Sequence, residues 1–174
     1  MKGRRWITLV MFLASVVFSA CSSSENSGET VSEVMQAEAN EAKELVIYFS
    51  NSKADGLETE TILVEEVTPD IIVGYLAVHN IVSMDTKVNE FQITEEDGKS
   101  VLHLDLSEAF GEYLETMGSG GENVIMTALT DTFLQAYEAD ALQITVEGKT
   151  IETGHAIYDE PLTFGEVSLD LDSQ

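Results

Sequence analysis

Few side chains in this sequence could do chemistry. The three histidines, His79, His103 and His155, stand among 32 acidic residues. His103 with Asp105, joined by His155 near Asp159 and Glu160, is the constellation that would suit a metal or a proton-transfer site. None of the three has the short fixed spacing of a zinc motif. Asn51, Lys53, Asp55 and Gly56 trace the start of a calcium loop. Lysine at the third position and Ile62 at the twelfth, where a bidentate glutamate belongs, argue against it. Gly118-Ser119-Gly120 falls short of a nucleophile elbow, and Glu122 three residues beyond Ser119 makes a helix cap the better use of that hydroxyl. The same glycine-rich helix start could hold an anion through backbone N–H groups, but no lysine or arginine lies nearby in the chain. Carboxylate pairs carry no information at this density. The sequence therefore predicts no catalytic group, no metal ligand and no cofactor, and the chain reads as a protein that is not an enzyme.

One residue has a clearer chemical role. Cys21, the single cysteine, follows Val17-Phe18-Ser19-Ala20 and precedes a serine-rich polar run. Lys2, Arg4 and Arg5 form a positive flank, Trp6 to Ala20 an apolar stretch too short for a spanning helix, and Ser19 and Ala20 the small residues that precede a cut. Residues 1–20 thus read as a lipoprotein signal peptide. The segment resembles a bacterial lipobox, with Phe18 where leucine is usual, and the resemblance implies acyl chains on Cys21. A single chain holds marginally and two or more hold stably, because each buried methylene contributes about 0.8 kcal/mol. With one cysteine no disulfide can form within the chain.

Charge excludes whole classes of partner. The formal net charge is −24, and loss of the three cations in residues 1–20 takes it to −27. Both arginines leave with that segment. What remains cannot make bidentate contacts to phosphate or guanine, so nucleic acid and anionic lipid are poor partners. A hydrophobic content of 44% still supports a core.

The elements that would position these residues follow from the patterning. Residues 21–43, rich in Ser, Glu, Ala and Asn, predict a flexible tether. A single domain is expected over 44–165, with an acidic tail over 166–174. Leu45-Val46-Ile47-Tyr48-Phe49 and the run from Glu60 to Glu66 predict strands. Thr68-Pro69 starts a helix to about Asn80, with Ile71, Ile72, Tyr75, Leu76 and His79 on one stripe. Val88 to Thr94 and Ser100 to Leu106 flank Glu95-Glu96-Asp97-Gly98 as a hairpin, its leucines turned to the core and Val101, His103 and Asp105 outward. Ser107 is expected to cap a short helix carrying Phe110, Tyr113 and Leu114. Ser119 with Glu122 predicts a capping box for a helix to about Tyr137, with Ile125, Leu129, Phe133 and Tyr137 at spacing four. Ala141 to Val146 and Thr150 to Thr153 close as a second hairpin across Glu147-Gly148-Lys149.

Taken in order, these segments resemble the GerMN domain, the sporulation and spore germination module of secreted and lipid-anchored proteins in spore-forming and related Gram-positive bacteria. The resemblance spans roughly Leu45 to Leu162. It rests on Val46-Ile47-Tyr48-Phe49-Ser50-Asn51 through Asp55-Gly56-Leu57, on Leu104-Asp105-Leu106-Ser107-Glu108-Ala109-Phe110, and on Gly118-Ser119-Gly120-Gly121-Glu122. Ala128-Leu129-Thr130-Asp131-Thr132-Phe133, Ile144-Thr145-Val146-Glu147-Gly148-Lys149, Gly154-His155 and Glu160-Pro161-Leu162 complete it. Where the family often carries a Gly-Val step before the last strand, this chain has Tyr137-Glu138-Ala139-Asp140-Ala141. The resemblance implies an α/β (α+β) fold, a small mixed β-sheet packed by two main helices, similar to ring-building modules. It implies no catalysis. The expectation is a non-catalytic protein lipid-anchored through Cys21 on the outer face of the cytoplasmic membrane, making protein contacts or self-assembling in an envelope or sporulation assembly. An extracytoplasmic substrate- or metal-binding lipoprotein is the alternative.

Overall fold

The computed structural model describes residues 42–53 and 56–165. Residues 1–20, Cys21, most of the expected tether, Asp55 and the acidic tail 166–174 lie outside the described residues. Ten elements follow in chain order: β1 (Lys43–Ser50), β2 (Leu57–Val64), α1 (Pro69–Val78), β3 (Val88–Glu96), β4 (Lys99–Leu106), α2 (Glu108–Glu115), α3 (Ser119–Tyr137), β5 (Ala141–Val146), β6 (Lys149–Glu152) and β7 (Ile157–Tyr158). This is the expected α+β fold, built with two sheets and three helices. β1 and β2 pair antiparallel as a separate ribbon, and the other five strands form one sheet in the order β3-β4-β5-β6-β7. β4 and β5 are parallel and the remaining pairs antiparallel, so the larger sheet is mixed.

The parallel step needs a crossover, and α2 with α3 provides it. α3 lies where the layers meet. It packs along β1 and also touches β5 and α1. Leu45 and Ile47 of β1, Leu102, Leu104 and Leu106 of β4, and Leu129 and Phe133 of α3 share one core, each at most 1% exposed. The β3–β4 and β5–β6 hairpins turn through two residues with positive φ, Asp97 and Gly98 at 50° and 79°, Glu147 and Gly148 at 51° and 70°. Two left-handed residues match the twist of the flanking strands, as type I′ turns require.

Several local expectations are corrected. β2 begins at Leu57 rather than Glu60, because all eight of its residues find antiparallel partners on β1. α1 stops at Val78, its Thr68 cap accepting the Ile71 N–H at 3.3 Å as expected. Val101 is buried, although the alternation puts it with the outward set. Ser107 precedes α2 but makes no side-chain cap; its hydroxyl instead accepts the Lys87 N–H at 3.0 Å. β7 escaped the sequence pattern because a two-residue strand carries no periodicity.

α3 ends with Glu138 in the left-handed region, φ 51°, and the N–H groups of Glu138 and Ala139 both reach the Leu134 carbonyl. A side chain there costs about 1 kcal/mol that glycine avoids. Glu138→Gly is therefore expected to stabilise the chain by a few tenths to about 1 kcal/mol in urea denaturation. Phe133→Ala should cost about 3–5 kcal/mol.

Candidate functional site

The structure disperses the predicted constellation. His103, on β4, is hydrogen-bonded through Nε2 to Thr94 Oγ1 at 2.9 Å and lies 3.1 Å from Glu96 Oε1. His79 closes α1, its Nε2 2.9 Å from Glu60 Oε2 and its ring stacked on Phe49 at 4.1 Å. His155 is exposed, in the turn after β6, and its backbone N–H donates to Thr153 Oγ1 at 3.1 Å. Among the described residues, no group of three or more His, Cys, Asp or Glu side chains gathers for a metal.

His103 and Asp105 do share a shallow hollow of about 190 Å³ on the open face of the sheet, together with Glu90, Gln92, Gln143 and Thr145. Register explains it: Gln92, His103 and Gln143 form one cross-strand row, and Glu90, Asp105 and Thr145 the next. Asp105 is not free to act. Partial burial pushes its carboxyl up, but donors outweigh that and hold it below the usual range: Thr145 hydroxyl at 2.6 Å, Gly148 N–H at 2.7 Å and Asn89 amide at 3.0 Å. The Asn89 amide also reaches the Leu106 carbonyl and Glu147 Oε1, both at 3.1 Å. Glu147 Oε1 in turn accepts the Glu108 N–H at 3.1 Å, at the start of α2. A carboxylate from a distant hairpin thus does at α2 what a local cap does elsewhere. Asp105, Asn89 and Glu147 lock one corner, where β3, β4, the β5–β6 turn and α2 meet.

A second polar set lies inside the molecule. Glu122 is 1% exposed and Asp131 4% exposed, both on α3. The expected capping box is absent, since Gly118 caps α3 and Ser119 is its first residue with no side-chain cap bond. Glu122 faces inward instead. Its Oε1 accepts the hydroxyls of Thr153 and Tyr158, both at 2.8 Å, while Oε2 has no partner among the described residues. Burial and the adjacent Glu122 push the Tyr158 phenol far up. Asp131 Oδ1 accepts the Gly165 N–H at 2.8 Å, and burial still raises its carboxyl above the ordinary range. Thr132 accepts the Tyr48 N–H at 3.0 Å, bonding β1 to the helix. Burial, with negative Asp70 and Glu66 nearby, pushes the Tyr137 phenol up to about 12. A signal for Glu122 was present: it falls three residues before Ile125 and seven before Leu129, on the buried stripe.

An apolar groove of about 230 Å³ runs between the end of α1, α2 and the start of α3, floored by Ile81, Val124 and Ile125. Tyr113 crosses it, its hydroxyl donating to the Asn80 carbonyl at 2.7 Å.

The polar corner falls on segments that a family model shares. The model described as "Sporulation and spore germination" (Germane) matches residues 46–152. The chain belongs to this family. The tandem GerMN domains of the sporulation protein GerM from Bacillus subtilis share its fold at 15% identity and TM-score 0.53, over 72% of this chain and 47% of that one. The chain thus spans about half the length of that two-domain structure. The first GerMN domain of the same protein aligns at 18% identity and TM-score 0.46, over 70% of this chain and 96% of that one. A candidate lipoprotein from Clostridium perfringens aligns at 20% identity and TM-score 0.41, over 71% and 88%. No curated protein matches the chain significantly. Asp105, Ser107 and Glu147, which build the corner, all fall within the matched span.

Tyr158→Phe removes one hydrogen bond to Glu122 and is expected to cost about 1 kcal/mol, while Glu122→Ala, which strands the buried Tyr158 hydroxyl and opens a void, should cost about 3 kcal/mol. Urea denaturation of both and of the double variant measures this, and a purely additive result would sever the pair. The two aspartates predict opposite pH responses. Asp105 has a lowered folded value, so its contribution is present above the ordinary carboxylate range and lost as pH falls through the lower value. Asp131 has a raised one, so its contribution holds at acid pH and is lost as pH rises through it. Relative to wild type, Asp131→Asn should gain stability on going from pH 4 to 7, and Asp105→Asn should lose it on going from pH 2 to 5, by urea midpoints at each pH.

Proposed function

We propose that this GerMN protein is a non-catalytic module, held through acyl chains on Cys21 at the outer face of the cytoplasmic membrane, that makes protein contacts in an envelope or sporulation and germination assembly. The observation that carries the reading is where the polar chemistry goes. Asp105, Glu147, Glu122 and Asp131 all accept hydrogen bonds from the chain's own hydroxyl, amide and backbone donors. Groups engaged in this way position elements and present surfaces, which supports the reading of an interaction module. Family membership supports the sporulation and germination context. The Ser-rich run after Cys21 supports attachment at a distance from the bilayer, and among the described residues no helix is long and apolar enough to cross a membrane.

Metabolic labelling of the full chain with a fatty-acid analogue tests the anchor. Label is expected on wild type and absent from Cys21→Ala, with the variant released from the membrane fraction. Label that persists in the variant, or its absence from wild type, removes the anchor from the reading.

A further inference from the structure

We propose that the free edge of β3 docks an extended partner segment of alternating basic and apolar residues, which joins the five-stranded sheet as an added strand. This rests on the interaction reading above and names the surface and the chemistry of the partner.

β3 is the outermost strand of its sheet and its ladder partner is β4. Among the described residues, no turn or loop backbone bonds to residues 88–96. An edge of this kind presents unpaired N–H and C=O groups that an extended chain can take up. Other edges are blunted, and on β1 the Tyr48 N–H is taken by Thr132 of α3. β7 is two residues long. On β2, Glu58 and Glu60 stand across from Phe49 and from the fully buried Ile47, so charge occupies the row that faces the core, and inward-row charge blocks strand addition. β3 carries charge on that row at one position of its usable edge, Glu95, which stands across from Ser100 at the hairpin end. Phe91 and Ile93 stand across from the buried Leu104 and Leu102, and Ile93 remains 55% exposed with no neighbour strand to cover it.

The opposite row sets the charge. Glu90, Gln92 and Glu96 project to the open face, across from Asp105, His103 and Lys99. A strand added beside β3 places its side chains about 5 Å from these residues and alternates between the two rows. Apolar side chains would cover Ile93 on one row, and Lys or Arg would meet Glu90 and Glu96 on the other. A second copy of the chain is a poor occupant. Antiparallel pairing of two β3 edges about Ile93 sets Glu90 against the other copy's Glu96, and like charges directly opposite destabilise a sheet. The irregularity between Val88 and Glu90 limits the usable edge to residues 90–96.

The test titrates the full chain, in detergent micelles with backbone nitrogen labelled, with a synthetic peptide of alternating lysine and valine and with its glutamate-valine counterpart. The lysine-valine peptide is expected to bind with amide shifts gathered on 90–96 and on β4, the glutamate-valine peptide not at all. The pair Glu90→Lys and Glu96→Lys should weaken the first peptide about tenfold and admit the second, and Ile93→Lys should abolish binding by either while the rest of the spectrum stays folded. Shifts spread over the whole acidic surface, no binding, or edge shifts that grow with protein concentration in the absence of peptide would each overturn the proposal, the last in favour of a second copy. Photo-crosslinking in the cell then separates this inference from the reading beneath it. Capture of a protein from Met84 but not from Gln92 overturns the edge and leaves an interaction module standing; capture from neither overturns both.

Discussion

Helix α3 buries eleven of residues 122–134, so the polar groups on it depend on the chain itself for partners, and among the described residues Glu122 Oε2 and Thr130 Oγ1 are left without one. Burying an unpaired polar group costs several kcal/mol, and an unpaired carboxylate more. The solution draws in both ends of the domain. β1 gives its Tyr48 N–H to Thr132, whose own hydroxyl turns back to the Ala128 carbonyl at 2.7 Å. The segment after β6 gives Thr153, Tyr158 and the Gly165 N–H to Glu122 and Asp131. The ribbon and the C-terminal segment are thus tied to the helix by polar bonds that have no substitute in the core.

The second fixed point is the corner at Asp105. Parallel strands β4 and β5 leave the same end of the sheet, and α2 must depart from it at once. Its first N–H groups would be stranded there if Ser107 were spent on Lys87 and nothing replaced it. Glu147 replaces it from the β5–β6 turn, and the positive end of the helix favours the charge. Asp105, Ser107 and Glu147, far apart in sequence, thus close one joint from two sides.

Much of this was legible in the residues, and the failures have a common cause. Alternation gave the β3–β4 hairpin, a positive-φ pair gave its turn, and Thr68-Pro69 gave the start of α1, because each depends on neighbours within a few positions. Ser107 and Ser119 were misread as caps for the opposite reason. A serine before a helix has a local use and a distant one, and tertiary partners decide between them. Glu122 shows the same conflict: three residues after a serine it looks like half of a capping box, and on the stripe of Ile125 and Leu129 it looks buried. The helix register prevailed because Thr153 and Tyr158, some thirty residues later, bring it two hydroxyls. No short window contains them.

The distribution of charge bears on recognition. Among the described residues the close contacts of basic side chains with carboxylates are the His79–Glu60 and His103–Glu96 hydrogen bonds, and the buried carboxylates are met by neutral donors. The few lysines therefore neutralise nothing inside the fold, and the acid surplus stays at the surface. Such a field draws in any cationic partner and speeds its arrival, but it cannot distinguish one from another. Discrimination has to come from geometry. A strand edge supplies it, since a one-residue slip exchanges the faces of every side chain on the incoming segment and sets lysine against Ile93 and valine against Glu90. Acidity would thus govern encounter, and the alternation along β3 would govern which encounters last.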